Sequence, residues 1–109
     1  MAEPLAYSVG MWTTKSGQSD AFVKIWKNMA NHVAENSKGG IDFTLAQDAD
    51  QPNLFVSFGR WESADVFKIW LESPEFKSYM EEIKPLCDDV KIRAMKGVFS
   101  IKGKIARIS

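Results

Sequence analysis

From Leu5 to Thr13 the residues alternate with a period of two, which predicts a strand. Leu5, Tyr7, Val9 and Met11 share one parity; Ala6, Ser8, Gly10 and Trp12 share the other. Both faces carry apolar residues, so both are expected to be covered. The second is made mostly of small residues, which leaves space above it. After a turn at Lys15-Ser16-Gly17 the period changes. Phe22, Ile25, Trp26, Met29 and Val33 follow the i, i+3, i+4, i+7, i+11 spacing of one helical stripe and predict a helix over 19–36. Ser19 or Ser16 is the expected cap, Asp20 suits the positive helix end, and Lys38-Gly39-Gly40 terminates the element.

Residues 41–48 alternate again, with Ile41, Phe43 and Leu45 inward and Asp42, Thr44 and Asp48 outward. Ala49 to Asn53 reads as a hairpin loop. The strand predicted over 54–61 sets Leu54, Val56, Phe58 and Arg60 on one face and Phe55, Ser57, Gly59 and Trp61 on the other. Ser63 caps a helix with Val66, Phe67, Ile69 and Trp70 inside, and Ser73-Pro74-Glu75 restarts it with proline at the first helical position. Phe76, Tyr79, Met80 and Ile83 continue the stripe until Pro85. A last strand is expected over 91–102, interrupted at Gly97, followed by a short tail with Ile105 and Ile108. No internal repeat is expected.

The order β-α-β-β-α-β is the split pattern of an α+β, ferredoxin-like fold: a four-stranded antiparallel sheet with its helices on one face. The opposite face is too apolar to be left in water. A second copy of the same sheet is the simplest cover, so the expected assembly is a homodimer, a dimeric α/β barrel.

The chain has 109 residues, which suits one domain over 1–109. Its 14 basic and 14 acidic residues cancel, so no field attracts polyanions and no nucleic-acid partner is expected. Lys102, Lys104 and Arg107 read as a guarded strand edge. The single cysteine, Cys87, rules out an internal disulfide. No signal-peptide pattern opens the chain and no run reaches the ~20 apolar residues of a membrane span. The expected setting is the cytoplasm, without a membrane partner. No flavin, nicotinamide or metal motif is present, so no cofactor is expected.

One stretch is more specific. Phe58-Gly59-Arg60-Trp61-Glu62-Ser63, followed by Trp70 and Ser73-Pro74-Glu75-Phe76, resembles the antibiotic biosynthesis monooxygenase family. The Lys15-x-Gly17 turn, Phe22 and Trp26 on the first helix, and Asp50-x-Pro52-Asn53 fit the same pattern, over roughly residues 5–101. The resemblance implies a dimer with facing sheets and a pocket between sheet and helices in each subunit. It also implies membership among cofactor-independent oxygenases of phenols and quinols, haem-degrading oxygenases, or relatives without assigned activity. The haem-degrading branch uses a histidine ligand, an asparagine and a tryptophan. Trp70 matches the tryptophan, but the ligand position falls on Met80 and the asparagine position on Val9 or Gly10. The phenol-oxidising branch uses an asparagine, a tryptophan, a tyrosine and an arginine. Trp61 matches the tryptophan, while Ser57, Phe67 and Met80 stand at the other three places.

The candidate substrate pocket is therefore Trp61, Ser57, Trp70, Phe67, Met80 and Trp12, around a small aromatic molecule of phenol or quinol type. Each aromatic residue has a second reading as core filling, and Trp26, in the middle of its stripe, is expected in the core. Ser57 has no His/Asp relay to make it a nucleophile. His32, the only histidine, lies on the flank of its helix with no evident partner. Arg60 is expected at the rim of the dimer face, paired with a carboxylate. Cys87 reads as an ordinary semi-buried thiol and Asp88-Asp89 as an acidic loop or helix end. Catalytic residues are not identified by these patterns, and a non-catalytic small-molecule-binding dimer is the alternative to a monooxygenase.

Overall fold

A computed structural model describes residues 6–104; Leu5, Ile105, Arg107 and Ile108, invoked above, lie outside them. Strand β1 (Ala6–Thr14) leads into helix α1 (Ser19–Asn36), then β2 (Gly40–Gln47) and β3 (Leu54–Trp61). Helices α2 (Ala64–Glu72) and α3 (Pro74–Ile83) and a 3-10 turn (Lys84–Leu86) precede β4 (Cys87–Lys96). The sheet is antiparallel in the order β2-β3-β1-β4. This is the ferredoxin-like arrangement expected from the pattern.

The local devices explain the breaks. Ser63 Oγ accepts a hydrogen bond from Val66 N (3.2 Å) and caps α2. Ser73 serves two helices at once: its hydroxyl donates to Trp70 O (2.6 Å) at the end of α2 and accepts from Phe76 N (3.1 Å) at the start of α3. With Pro74 at the first helical position, this fixes a bend between the two. In the β2–β3 hairpin, Asp48 Oδ1 accepts from the backbone N–H groups of Asp50 (2.8 Å) and Gln51 (2.9 Å). Both bonds favour the carboxylate and hold its pKa below 3.8.

Several expectations are corrected. Helix α1 has Gln18 at its N-cap without a side-chain bond; Ser19 instead hydrogen-bonds Thr14 Oγ1 (2.8 Å), tying the helix to β1. Ile41 does not face inward. The register slips between Gly40 and Asp42, a bulge that takes Ile41 out of the pairing and leaves it 44% exposed. Ile69 is 69% exposed because Phe67, Trp70 and Leu71 form the inner stripe of α2. The last strand starts at Cys87, four residues before the expected 91, and ends at Lys96. Residues 97–103 carry no regular structure, so Lys102 and Lys104 do not guard a strand edge.

The sheet has two unlike faces. Trp12, Phe55 and Trp61 are buried beneath the helices together with Phe22, Met29, Val33, Phe67 and Ile83. On the far face Met11, Val56, Phe58 and Met95 are each between 42% and 46% exposed. Arg60 and Asp42 sit on that face as a bidentate ion pair, with Arg60 Nε 3.0 Å from both carboxylate oxygens. The hydrogen bond from the Arg60 guanidinium holds Asp42 below 3.8 against the opposing effect of burial. No helix of the described residues is long and apolar enough to cross a membrane.

These two aspartates predict the acid response. Folding lowers both pKa values, so their contribution is present above 3.8 and is lost as pH falls through the lower folded values. Melting temperature followed by circular dichroism should drop below about pH 4. Asp48→Asn, which keeps the turn acceptor but cannot titrate, should make that drop shallower.

Candidate functional site

Under the helices the core is divided. One cluster gathers Trp12, Phe22, Trp26, Met29, Phe55, Met80, Ile83 and Cys87; the other gathers Ala6, Val33, Trp61 and Phe67. Phe43, Trp70 and Ile92 pack against both. Between the clusters lies a cavity, and its floor is the centre of the sheet. There Ser8 pairs with Gly59 and Gly10 with Ser57. Four small residues cannot fill the space that four large ones would.

The floor is held by two hydrogen bonds of the same kind. Trp12 Nε1 donates to Ser57 Oγ (2.9 Å) and Trp61 Nε1 donates to Ser8 Oγ (3.0 Å). Each bond crosses between β1 and β3 on a diagonal of the register. The glycines make this possible. A Cβ on Gly10 would stand 2.5 Å from Ser57 Oγ and 2.6 Å from Trp12 Nε1; on Gly59 it would stand 2.6 Å from the Phe43 ring. The indoles are also gripped from the side. Trp12 packs on Phe22 (centroids 5.3 Å apart), and Trp61 lies between Phe43 (5.2 Å) and Phe67 (5.1 Å).

All four tryptophans of the chain line the cavity: Trp12, Trp26, Trp61 and Trp70. Ser8, Ser57, Phe43, Phe67 and Phe76 complete most of its wall. Its volume, counted as space open to the centre of a water molecule, is about 60 Å³. At 10–15 Å³ for each water, that is room for roughly five waters or one small ring system. Among the described residues no Asp, Glu, His, Lys, Arg, Tyr or Cys belongs to the lining.

The structure thus brings five of the six expected residues together: Trp61, Ser57, Trp70, Phe67 and Trp12. Met80 is the exception. It lies in the first core cluster and opens toward a separate surface groove with Lys77, Glu81 and Lys84. The helical stripe that placed it inward holds, but the direction it faces is away from the cavity. Trp26 is buried as expected and is also part of the cavity wall. Ser8 was not singled out from the sequence. Its signal was available: Ser8-Val9-Gly10-Met11-Trp12 and Ser57-Phe58-Gly59-Arg60-Trp61 are the same Ser-x-Gly-x-Trp pattern, a short repeat where none was expected.

Charged groups begin outside. A second, wider groove shares Val33 and Trp70 with the cavity and is lined by His32, Asn36, Lys38 and Glu75. The His32 ring lies 6.0 Å from Trp70 and 5.9 Å from Tyr79, and Asn36 Nδ2 donates to the His32 carbonyl (2.9 Å). Trp70 is therefore the partition between an uncharged interior and an ionisable surface. Cys87 is buried; desolvation, helped by the charge of Asp88, pushes its thiol pKa up, which makes it a poor nucleophile.

The sequence profile of the family described as antibiotic biosynthesis monooxygenase matches residues 6–82, well over half the chain. The chain belongs to this family. No curated protein matches it in sequence. Among solved structures, a Nitrosomonas europaea protein that carries the family's name superposes with a TM-score of 0.80 at 14% identity, covering 91% of this chain and 95% of its own. A conserved protein from Methanosarcina mazei Go1 gives 0.79 at 15%, covering 88% and 95%. A variant of SnoaB, a cofactor-independent oxygenase from Streptomyces nogalater, gives 0.76 at 20%, covering 93% and 96%. At such identities these structures share the fold of this antibiotic biosynthesis monooxygenase family member and carry no more than that.

One substitution tests how the floor is built. In this family member Gly10→Ala forces a methyl group between Trp12 and Ser57. It should cost about 1–3 kcal/mol of stability, as overpacking does, in a denaturant titration. It should also speed hydrogen exchange of the Trp12 indole N–H.

Proposed function

We propose that this protein is a cofactor-independent monooxygenase that encloses a small phenol- or quinol-type ring in the cavity between sheet and helices, and that it works as a homodimer. The observation that carries the reading is the cavity itself: four tryptophans and three phenylalanines around two hydroxyls. Such a space stacks a planar ring, orients it and excludes water.

In this reading the chemistry belongs to the substrate. An ionised phenol is electron-rich enough to pass electrons to oxygen directly. A ring carbon bonds to oxygen as a hydroperoxide, which loses water and leaves a carbonyl. One oxygen atom ends on the ring and the other in water, so phenol and dioxygen give quinone and water. Trp61 and Trp70 would hold the ring faces, Phe67 would close the wall, and Ser57 would hydrogen-bond the ring oxygen, with Trp12 holding Ser57. Haem does not fit these residues. The place of its axial histidine is taken by Met80, which lies outside the cavity.

The absence of any titratable side chain from the cavity wall among the described residues favours a second reading, a non-catalytic binder of small aromatic molecules. The two readings separate in an oxygen electrode. A panel of quinols and phenols is first screened by thermal shift beside haem and flavins; a ligand present at ~100 times its dissociation constant adds ~2.7 kcal/mol. Hits are then followed for oxygen uptake. The monooxygenase reading expects turnover, with a pH profile whose inflection moves with the pKa of each phenol, since the described residues of the wall offer no base. Stabilisation without oxygen uptake would establish the binder.

The homodimer rests on the far face of the sheet. Val9 pairs with Phe58 and Met11 with Val56 there, a continuous apolar patch that a second copy would bury. Phe58→Glu should therefore yield monomers in analytical ultracentrifugation and keep ligand affinity, whereas Trp61→Ala should stay dimeric and lose aromatic ligands. The opposite pattern would mean that the roles of the two faces are reversed.

A further inference from the structure

The Ser-x-Gly-x-Trp pattern occurs once on β1 and once on β3, and the antiparallel register superposes the two copies about a local twofold axis. Ser8 faces Gly59 and Ser57 faces Gly10. Each indole donates to the serine of the other strand. A serine hydroxyl has one proton and two lone pairs. The indole occupies a lone pair and leaves the proton unspent. Among the described residues neither hydroxyl donates to a protein acceptor. Ser57 is more than nine-tenths buried, and both serines line the cavity.

We propose that Ser8 and Ser57 act as a paired clamp that selects rings carrying two acceptor oxygens. Diagonal neighbours on adjacent strands lie about 7 Å apart at the backbone, so two acceptors on one ring system suit them better than a single shared oxygen. The volume of about 60 Å³ has room for a small ring system. Among the described residues no cation lines the wall, so a carboxylate or phosphate, with its charge held on a few oxygens, would enter unpaired at a cost of several kcal/mol, whereas a phenolate spreads its charge over the ring. Indole bonding takes one lone pair of each hydroxyl and so narrows the directions open to its proton before the ligand arrives. The proposal assigns Ser8 a specificity role equal to that of Ser57 and rests on the reading that the cavity takes planar aromatic ligands.

The test compares naphthalene, 1-tetralone and 1,4-naphthoquinone, which carry zero, one and two acceptor oxygens on one bicyclic frame. Dissociation constants are measured by calorimetry on the full chain, with mass spectrometry to verify that Cys87 forms no adduct. Affinity should rise about 3- to 10-fold with each oxygen, the gain of one net hydrogen bond. Ser8→Ala and Ser57→Ala should each reduce the quinone to the affinity of the ketone and leave naphthalene unchanged. Equal affinity for ketone and quinone would overturn the clamp while leaving the cavity reading intact. So would serine variants that weaken naphthalene as much as the quinone. Failure of all three to bind would remove both readings. Each serine variant leaves a buried indole N–H without a partner; should it not fold, the three-ligand series on the unaltered protein still decides.

Discussion

Two indole N–H groups reach across the β1–β3 pair to serine hydroxyls, and the rest of the interior is arranged around them. Each bond has a glycine beside it: a methyl group at Gly10 would occupy the space of the Trp12 indole and Ser57 Oγ, and one at Gly59 the space of Ser8 Oγ and the Phe43 ring that packs on Trp61. Each therefore removes bulk from the sheet just where the helices pass over it. The helices cannot collapse onto that gap, since Phe43 and Trp70 already pack against both halves of the core. The cavity is the residue of this constraint. A cavity is a cost in an ordinary core, of ~24 cal/mol for each Å³ left empty. In the proposed function that cost is offset by a ligand bound over the floor of paired hydroxyls.

The two faces of the sheet divide the labour. Alternation along β3 sends Phe55, Ser57, Gly59 and Trp61 toward the helices and Val56, Phe58 and Arg60 away from them. One strand thus supplies the cavity and the apolar outer surface, and a slip of one residue would exchange them. Electrostatics follows the same division. The Arg60–Asp42 pair stands on the outer face, and His32, Lys38 and Glu75 stand in the groove beyond Trp70. Among the described residues the cavity wall is left neutral, so in the proposed function the ligand itself supplies the charge that chemistry there needs.

Much of this was legible in the chain. Alternation and helical spacing predict the four strands and the helices in their order, though not the 3-10 turn or the bounds of the last strand, and the small residues on one parity of β1 already predict space above it. The Trp-Glu-Ser junction after β3 and the Ser-Pro restart between α2 and α3 carry the family resemblance. What failed did so for local reasons. Ile41 was turned outward by a bulge, which alternation does not encode. Ile69 was misplaced because the inner stripe of α2 runs through Leu71. Met80 followed the stripe correctly but looks into another groove, which depends on how α3 lies on the sheet. Ser8 went unnoticed because its meaning is in the pairing: a serine on β1 matters only once it is known to receive the indole of Trp61.

Proton–nitrogen NMR of the four indole groups tests the account most directly. The spectrum should show four indole N–H signals, with those of Trp12 and Trp61 protected from hydrogen exchange by their serine partners. Titration with 1,4-naphthoquinone should move all four, because every tryptophan lines the cavity, and leave the backbone amides of Asp42 and Thr44 in place. A ligand that shifted those outer-strand amides while the Trp12 and Trp61 indoles stayed still would contradict it.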